Sequence, residues 1–269
     1  MTLTFVLLAL IAGQHFADCI KIDPEVDVGG DAGENDFPFM VQLQRYWAVS
    51  YLHECGGSLV TPSWVLTAAH CNTNQPKLQV LAGTVRRNDR TNGQQRAVVR
   101  FVAHERYVLD GEIGPYDIAL ALVEEPFLVD GVSVATIELP RVSVWRESDE
   151  PMVMAVLGYG KIDESDTMPE VLQTVTVHLR PSADCGKDPV PVGTFCVGSP
   201  GSTACQGDSG GPVVGWSADD FTPRLIGVVS FGSRTCGAKP ITCTDVAAYM
   251  DWINGTLSTA EGMVPAVNS

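Results

Sequence analysis

Residues 207–212 read Gly207-Asp208-Ser209-Gly210-Gly211-Pro212, a serine set among glycines. Glycines carry no side chain, so the backbone can come close to a bound substrate here. A serine hydroxyl is a poor nucleophile until a base removes its proton, and the base must itself be oriented by an acid. If Ser209 is a nucleophile, the sequence must also provide a histidine and a carboxylate.

Two further segments offer those groups. Thr67-Ala68-Ala69-His70-Cys71 places a histidine beside a cysteine. Tyr116-Asp117-Ile118-Ala119-Leu120 places an aspartate at the start of an apolar run, where an unpaired carboxylate would be costly. Each segment alone has an ordinary explanation: a packing or surface histidine, an acid that caps a strand, or a serine in a tight turn. Together, and in the order His, Asp, Ser, they favour nucleophilic catalysis.

Outside these segments, short β-type runs alternate with Gly, Pro, Asn and Asp. The runs are 39–43, 57–60, 78–81, 97–102, 118–123, 153–157, 171–179, 211–214 and 225–231. Runs of this length and spacing are typical of an all-β sandwich or barrel. Helical periodicity is confined to Val246–Thr256, whose apolar positions share one face. The proline-bounded stretch Pro140–Pro151 is the predicted linker between two halves.

The composition is that of a folded, strongly acidic chain. It has 269 residues, of which 45% are hydrophobic and 18% charged, and this suits one large domain or two of about 100–130 residues. With 17 basic and 32 acidic side chains, the formal net charge is −15. That charge argues against a nucleic-acid partner, which needs a basic face. It also argues against electrostatic docking on an anionic membrane.

The N-terminus resembles a secretory signal. Residues 3–13 form an apolar run of eleven, about half the length of a membrane-spanning helix. Small or polar residues follow up to Cys19. We predict a signal peptide over 1–19, cut after Ala17 or Cys19, a pro-segment over 20–26, and a secreted, extracellular protein; a buried N-terminal strand is the alternative. Export would also make Asn254-Gly255-Thr256 a glycosylation sequon, with Asn254 as acceptor.

If the protein is exported, its eight cysteines should form disulfides, because oxidising compartments favour them. No pair has the C-x-x-C spacing of a zinc ribbon, so we expect no metal and no cofactor. Eight cysteines allow 105 connectivities, and their positions alone do not select one. The cysteines are Cys19, Cys55, Cys71, Cys185, Cys196, Cys205, Cys236 and Cys243.

Together these motifs resemble the chymotrypsin/trypsin family of serine endopeptidases, from about Val28 to Asn254, over 80% of the chain. The resemblance is carried by Cys55-Gly56-Gly57-Ser58-Leu59, Thr67–Cys71, Asp117–Leu120, Gly158-Tyr159-Gly160, Cys205–Pro212 and Val229-Ser230-Phe231-Gly232. It implies an all-β fold of two antiparallel six-stranded Greek-key β-barrels with a C-terminal α-helix. The protease domain would span 27–269, with barrels over about 27–140 and 141–257 and a tail over 258–269.

The resemblance also implies the role of each site residue. Ser209 would attack the scissile carbonyl, His70 would take and return its proton, and Asp117 would orient the imidazole. The N–H groups of Gly207 and Ser209 would form the oxyanion hole. Ser230–Gly232 would pair with the substrate as an added strand. The expected partners of the monomer are protein or peptide substrates and protein protease inhibitors.

The disulfides implied by the resemblance are Cys55–Cys71, Cys185–Cys196 and Cys205–Cys236. The first would fix the position of the histidine, and the last would hold the walls of the specificity pocket. Cys19 and Cys243 have no partner in the family pattern. They either pair with each other or leave Cys243 as an odd thiol.

The nucleophile elbow of α/β-hydrolases is a competing interpretation, because Gly207-x-Ser209-x-Gly211 fits its pattern. That fold needs a strand, a turn and a helix around the serine, and a triad in the order Ser, Asp, His. Here the histidine comes first and no helical pattern follows Pro212. The sequence therefore favours the two barrels.

The family resemblance also gives an expectation for specificity. The residue six positions before the nucleophile lies at the base of the primary pocket, and here it is Thr203, which has no charge to pair a basic side chain. Gly232 leaves one pocket wall open, whereas Ile241 falls where the family usually has a short residue. We therefore predict cleavage after small or medium apolar residues rather than after Lys or Arg.

The segment that should activate the enzyme departs from the family pattern. Family precursors are cut after Arg or Lys, and the new ammonium pairs with the aspartate before the serine, here Asp208. This sequence reads Val26-Asp27-Val28-Gly29-Gly30, with no basic residue before it, and cleavage at Lys21–Ile22 would leave the terminus five residues too long. Inserting Asp27 would bring two carboxylates together, which is unfavourable.

A different class of function is therefore open: a catalytically incompetent homologue that acts as a secreted binding or regulatory protein. In precursors of the family, a histidine at the position of His53 can hold the aspartate that precedes the serine. A surface histidine is the alternative there. The complete His, Asp and Ser set favours the enzyme, and the substituted activation segment favours the binding protein.

Overall fold

The computed structural model describes residues 29–72, 77–108, 114–141, 153–163, 165–186, 191–199, 204–216, 222–233 and 235–261. The predictions for the signal peptide, the pro-segment, Cys19, Thr203 and most of the linker lie outside these ranges. The strands are β1 (Gly30–Asp31), β2 (Met40–Trp47), β3 (Ser50–Thr61), β4 (Trp64–Thr67), β5 (Leu78–Ala82), β6 (Gln94–Ala103), β7 (Ala119–Val123), β8 (Val153–Gly158), β9 (Gln173–Leu179), β10 (Thr194–Gly198), β11 (Pro212–Trp216), β12 (Pro223–Phe231) and β13 (Ile241–Asp245). The helix is α1 (Met250–Glu261).

Strands from the N-terminal half close into a barrel in the order β2-β3-β4-β7-β6-β5, and its neighbouring strands are antiparallel. β4 and β5 are buried along their whole length. Leu59, Leu66 and Leu120 are among the side chains with no exposed surface. Full burial of such a side chain contributes about 1.5–3 kcal/mol, so the barrel interior supplies much of the driving force for folding.

The second sheet has the order β1-β9-β10-β13-β12-β11-β8, and an additional pairing of β8 with β9 closes six of its strands into a second barrel. The predicted fold of two six-stranded antiparallel barrels with a C-terminal helix is confirmed. β1 is an extra strand, because Gly30 pairs with Thr174 on β9. The start of the described chain therefore belongs to the second barrel, although its sequence position falls in the first half.

The C-terminal helix differs from its prediction at both ends. Residues 246–249 form a 3₁₀ turn, and its N-cap Asp245 accepts a hydrogen bond from the Ala247 N–H at 3.1 Å. The α-helix then runs to Glu261, five residues past the predicted end. Ser258 and Thr259, which follow the last packed apolar residue Leu257, are polar and exposed, so the apolar periodicity stops before the helix does. The sequon residue Asn254 lies exposed on this helix, and its glycosylation stays a prediction.

The hydrophobic pattern did not indicate β4, β10 and β13. In β13 all five residues are buried, yet three of them are polar: Thr242, Thr244 and Asp245. A polar residue can be buried at low cost when it has a hydrogen-bond partner, and Thr244 has one across the barrel interface (Thr244 Oγ1 to the Asp117 carbonyl, 2.8 Å). A search for alternating apolar side chains therefore does not predict such a strand.

The described residues form three disulfides, and they are the pairs that the resemblance implied: Cys55–Cys71, Cys185–Cys196 and Cys205–Cys236. Cys243 is buried in β13 and has no disulfide partner among the described residues. Within the described ranges, no helix is long and apolar enough to cross a membrane.

Candidate active site

His70 lies on a single 3₁₀ turn, Ala69–Cys71, which directly follows the strand β4. The Cys55–Cys71 disulfide ties this turn to β3. On the other side of the turn, the Thr67 hydroxyl donates a hydrogen bond to the Gly56 carbonyl at 2.8 Å. The histidine is therefore fixed to the barrel wall at both flanks, and only 18% of its side chain is exposed.

Asp117 lies just before β7 and has no exposed surface. Its carboxylate accepts three hydrogen bonds: from the His70 N–H (3.0 Å), from His70 Nδ1 (2.7 Å) and from the Ser230 hydroxyl (2.5 Å). Burial alone would raise the pKa of Asp117, but the hydrogen bonds from His70 and Ser230 outweigh it and leave this pKa below its ordinary value. A buried, ionised Asp117 fixes the imidazole with its proton on Nδ1, so Nε2 is the basic nitrogen.

The backbone on either side of Asp117 is held from the second barrel. Thr244 donates to the Asp117 carbonyl, and the Tyr249 hydroxyl accepts the Tyr116 N–H at 3.0 Å. Tyr116 has a φ of 70°, an unusual conformation for a residue with a side chain. Sequence reasoning missed Thr244 and Tyr249, because neither stands in a motif and only the tertiary fold brings them to the backbone around Asp117.

Ser209 follows a turn that packs against the strand carrying Cys55. Its carbonyl accepts a hydrogen bond from the Gly56 N–H at 2.8 Å. The next residue, Gly210, has a φ of 75°, and a Cβ there would lie 2.6 Å from the Gly56 carbonyl oxygen. Because that space is occupied by backbone, only glycine allows the serine segment to approach the segment of His70 so closely.

Asp208 points away from the histidine into the second barrel, where it is buried. Its two carboxylate oxygens accept the N–H groups of Gly160 and Cys205, each at 2.7 Å. Burial raises the pKa of Asp208 to about 6, although both hydrogen bonds act in the opposite direction. A cavity of about 330 Å³ lies beside this carboxylate, and Gly29 and Gly30 line it.

His53 is buried on β3, and its Nε2 lies 2.8 Å from the Gly207 carbonyl oxygen. Burial lowers the pKa of His53 to about 4, so the ring is neutral at pH 7 and Nε2 donates this hydrogen bond. The ring thus binds the residue before Asp208 rather than the aspartate itself. The expectation that His53 holds the aspartate is not met in this form of the chain.

Three of the residues predicted for substrate binding, Ser230, Phe231 and Gly232, lie at the end of β12, and Ile241 begins β13. Ser230 is buried against Asp117, Phe231 is half-buried, and Gly232 is exposed. Ile241 is only 2% exposed, and a Cβ added at Gly232 would lie 2.7 Å from its Cγ2 atom. The isoleucine therefore fills the space opposite the open glycine wall, while Thr203 lies outside the described residues.

Comparison with known proteins gives consistent results. A profile of the Trypsin family matches residues 27–253. The chain is 30% identical to human chymotrypsin-like elastase family member 1, over 93% of this chain and 99% of that protein. It is 31% identical to lectizyme of Glossina austeni (85% of each) and 33% identical to rat granzyme-like protein 2 (87% and 90%). Neuropsin, a serine protease of mouse brain, superposes with a TM-score of 0.72 at 26% identity, covering 85% of this chain and 98% of that one.

Proposed function

We propose that this chain, which belongs to the trypsin family and is a serine-type endopeptidase, hydrolyses peptide bonds with His70, Asp117 and Ser209 as its triad. The single observation that carries the assignment is the buried carboxylate of Asp117, which receives two hydrogen bonds from His70. A fully buried acid bound to an imidazole that keeps 18% of its side chain exposed places an ionised group beside a histidine that a substrate can still reach. It is the arrangement that makes a histidine a base for a neighbouring hydroxyl.

In the proposed reaction, Nε2 of His70 takes the proton of the Ser209 hydroxyl while its oxygen attacks the scissile carbonyl. The imidazolium then gives that proton to the leaving amine, and an acyl-enzyme remains on Ser209. Water repeats the sequence: His70 takes a proton from water, the hydroxide attacks the ester, and the serine regains its proton. Asp117 keeps the imidazole oriented and stabilises its positive charge at both stages.

The negative oxygen that forms on the carbonyl needs donors, and the N–H groups of Gly207 and Ser209 are proposed for this role. Within the described residues, neither N–H has a hydrogen-bond acceptor. Gly207 has a φ of 100°, a conformation open to glycine, and His53 holds its carbonyl. Removing one donor of this kind typically slows acyl transfer by about 100- to 1,000-fold.

The proposed specificity is for small or medium apolar residues before the scissile bond. Ile241 supports it, because its branched side chain occupies the volume facing Gly232. A long basic or broad aromatic side chain would have to displace a buried isoleucine. Secretion, activation by removal of an N-terminal segment, a monomeric state and inhibition by protein inhibitors are part of the same proposal.

An organophosphonate probe that reacts with activated serines tests the proposal. Secreted material is tested before and after protease treatment; at least the processed form should be labelled, and labelling should be absent in Ser209→Ala and strongly reduced in His70→Ala. Labelling that persists in Ser209→Ala would contradict the assignment of the nucleophile. N-terminal sequencing of the labelled form would identify the activating cleavage.

A second candidate is a protease-fold binding protein, and Asp208 favours it. Among the described residues, burial raises the pKa of this carboxylate to about 6, and only two backbone hydrogen bonds act to lower it. If no treatment yields a labelled form while the protein remains folded, the binding function replaces the enzymatic one.

A further inference from the structure

Tyr116 directly precedes Asp117 and has a left-handed backbone conformation. Its φ is 70°, a value that residues with bulky side chains rarely adopt and that Asn, Asp and His tolerate better. Such a conformation persists only where surrounding contacts hold it in place. A return of Tyr116 to negative φ would change the direction of the chain at the next residue, and that residue carries the carboxylate of the proposed triad.

One phenol holds the backbone of Tyr116. The Tyr116 N–H donates a hydrogen bond to the Tyr249 hydroxyl at 3.0 Å, and Tyr249 is only 6% exposed. Tyr249 ends the 3₁₀ turn over 246–249, which leads directly into α1. A Cβ added at Gly193 would overlap the phenol oxygen, so the hydroxyl has little room to move in that direction. The acceptor of the Tyr116 N–H is therefore fixed in position by the segment that leads into β10.

The ring of Tyr116 is held by other contacts. The Arg106 guanidinium lies 4.2 Å from the ring centre, and the centre of the His104 ring lies at 4.8 Å. His104 also packs against the rings of Tyr249 and Trp252, at 5.5 and 5.2 Å between centres. Ring packing accounts for an aromatic side chain at position 116. It does not account for the polar contact with the backbone, which needs the hydroxyl of Tyr249 and which a phenylalanine there would lack.

The turn at Asp117 depends on the residues on both sides of it. The Tyr116 carbonyl accepts the Ile118 N–H at 2.8 Å, which closes a three-residue turn with Asp117 at its centre. The Thr244 hydroxyl donates to the Asp117 carbonyl at 2.8 Å. From this turn the carboxylate reaches His70 Nδ1 at 2.7 Å, and a charge-assisted hydrogen bond of this length weakens when its distance or angle changes. A rotation at Tyr116 would therefore lengthen or bend the bond to the imidazole.

We propose that Tyr249 is a positioning residue: its hydroxyl holds Tyr116 at positive φ and thereby keeps the carboxylate of Asp117 on His70. The effect of Tyr249 on catalysis rests on the proposed function, whereas its effect on the bond between Asp117 and His70 does not. The alternative is a hydroxyl that stabilises the fold without orienting the carboxylate. The two alternatives differ in whether removing the hydroxyl changes the hydrogen bond of His70 in a chain that remains folded.

Proton NMR of the full chain measures the bond between His70 and Asp117 without turnover. The Nδ1 proton of an imidazole bound to a carboxylate resonates far downfield, and here it is assigned by its absence in His70→Ala. Tyr249→Phe keeps the ring that packs on His104, so the chain should stay folded. The Nδ1 proton of this variant should move upfield and exchange with water about tenfold faster, because the bond opens more often.

A second substitution tests whether the hydroxyl acts through the backbone of Tyr116. Asparagine adopts positive φ more readily than tyrosine, so in Tyr116→Asn the conformation depends less on an outside acceptor. Adding Tyr249→Phe to Tyr116→Asn should therefore change the exchange rate by less than about twofold. Both chains of this comparison lack the Tyr116 ring, so the loss of its packing cancels.

Phosphonate labelling of the protease-treated chain measures the effect on the proposed reaction. Tyr249→Phe should lower the maximal rate of labelling about tenfold and leave the probe concentration at half-maximal rate unchanged, because the hydroxyl binds the backbone of Tyr116 rather than the probe. The acid limb of the rate–pH profile should also move to lower pH, since an imidazolium that has lost part of its contact with Asp117 gives up its proton more readily.

Tyr159→Phe is the matched control for the loss of a buried phenol. Its hydroxyl donates to the Thr84 carbonyl at 3.1 Å, and the side chain is buried. Removing this hydroxyl should lower the unfolding midpoint by a similar amount to Tyr249→Phe, because each change takes a hydrogen bond from a buried site. It should leave the Nδ1 resonance of His70 unchanged.

Three results would overturn the proposal. An unchanged Nδ1 resonance in folded Tyr249→Phe would make the hydroxyl purely structural. An equal effect of Tyr249→Phe with and without Tyr116→Asn would mean that the hydroxyl does not act through the φ of Tyr116. Labelling of Tyr249→Phe at the parent rate would remove its role in catalysis and leave the proposed triad intact. If the resonance responds as expected but no form of the chain is labelled, the proposed proteolysis is contradicted and the positioning of Asp117 stands.

Discussion

Asp208 should give this protein an unusual dependence of stability on pH. Its pKa is raised from 3.8 to about 6 because the carboxylate is buried. Between these two pH values the folded chain holds a proton on Asp208, whereas the unfolded chain has lost it. Lowering the pH from about 7 to 4 therefore stabilises the fold through this group, and raising the pH removes that stabilisation.

The size of the effect follows from the shift of about two pH units. Each unit corresponds to about 1.4 kcal/mol, and the unfolded carboxyl is already partly protonated at pH 4, so Asp208 should make the free energy of unfolding about 2 kcal/mol larger at pH 4 than at pH 7. Other carboxylates titrate in the same pH range, and they change the free energy of unfolding in the opposite direction. The contribution of Asp208 is therefore obtained as the difference between the parent chain and Asp208→Asn.

Urea unfolding with the disulfides intact, followed by tryptophan fluorescence from pH 7.5 to 4, measures this difference. Asp251→Asn is the control, because it removes a carboxylate from an exposed position on α1. Its pH dependence should parallel that of the parent chain. A difference between the parent chain and Asp208→Asn that does not change with pH would refute the reasoning, since it would mean that the buried carboxylate titrates normally.

Three further substitutions test the packing of the site. Gly158→Ala would place a methyl group against the buried Asp208 carboxylate and should lower stability by about 1–3 kcal/mol; Gly30→Ala, whose Cβ meets nothing within 4 Å, should not, and equal unfolding midpoints for the two would contradict this. Ser230→Ala removes a donor to a buried carboxylate and should cost about 1–3 kcal/mol in urea unfolding, an expectation that an unchanged midpoint would refute. Ile241→Ala should cost about 2–5 kcal/mol and shift cleavage of a peptide library towards larger residues; an unaltered profile would show that Ile241 does not limit the pocket.

Local motifs were sufficient to single out the residues of the proposed triad, because each stands in a short segment with a recognisable pattern. The three disulfide pairings followed from the family resemblance, since the positions of eight cysteines alone leave 105 connectivities open. The contacts that hold Asp117 were not predictable in this way. Thr244 lies more than a hundred residues from Asp117 in sequence, in a strand whose buried threonines resemble a surface segment. The binding of His53 to Gly207 rather than to Asp208 likewise depends on where two distant turns meet.

The amino-acid sequence by itself determined the β-rich architecture, the segments that carry the reactive groups and the acidic character of the chain. Each of these follows from local composition or from spacing along one segment. The tertiary structure decided which barrel takes β1 and how the Asp117 carboxylate before β7 is enclosed. These features depend on contacts between residues far apart in the chain. Such contacts stabilise the protein only after both segments have reached their folded positions.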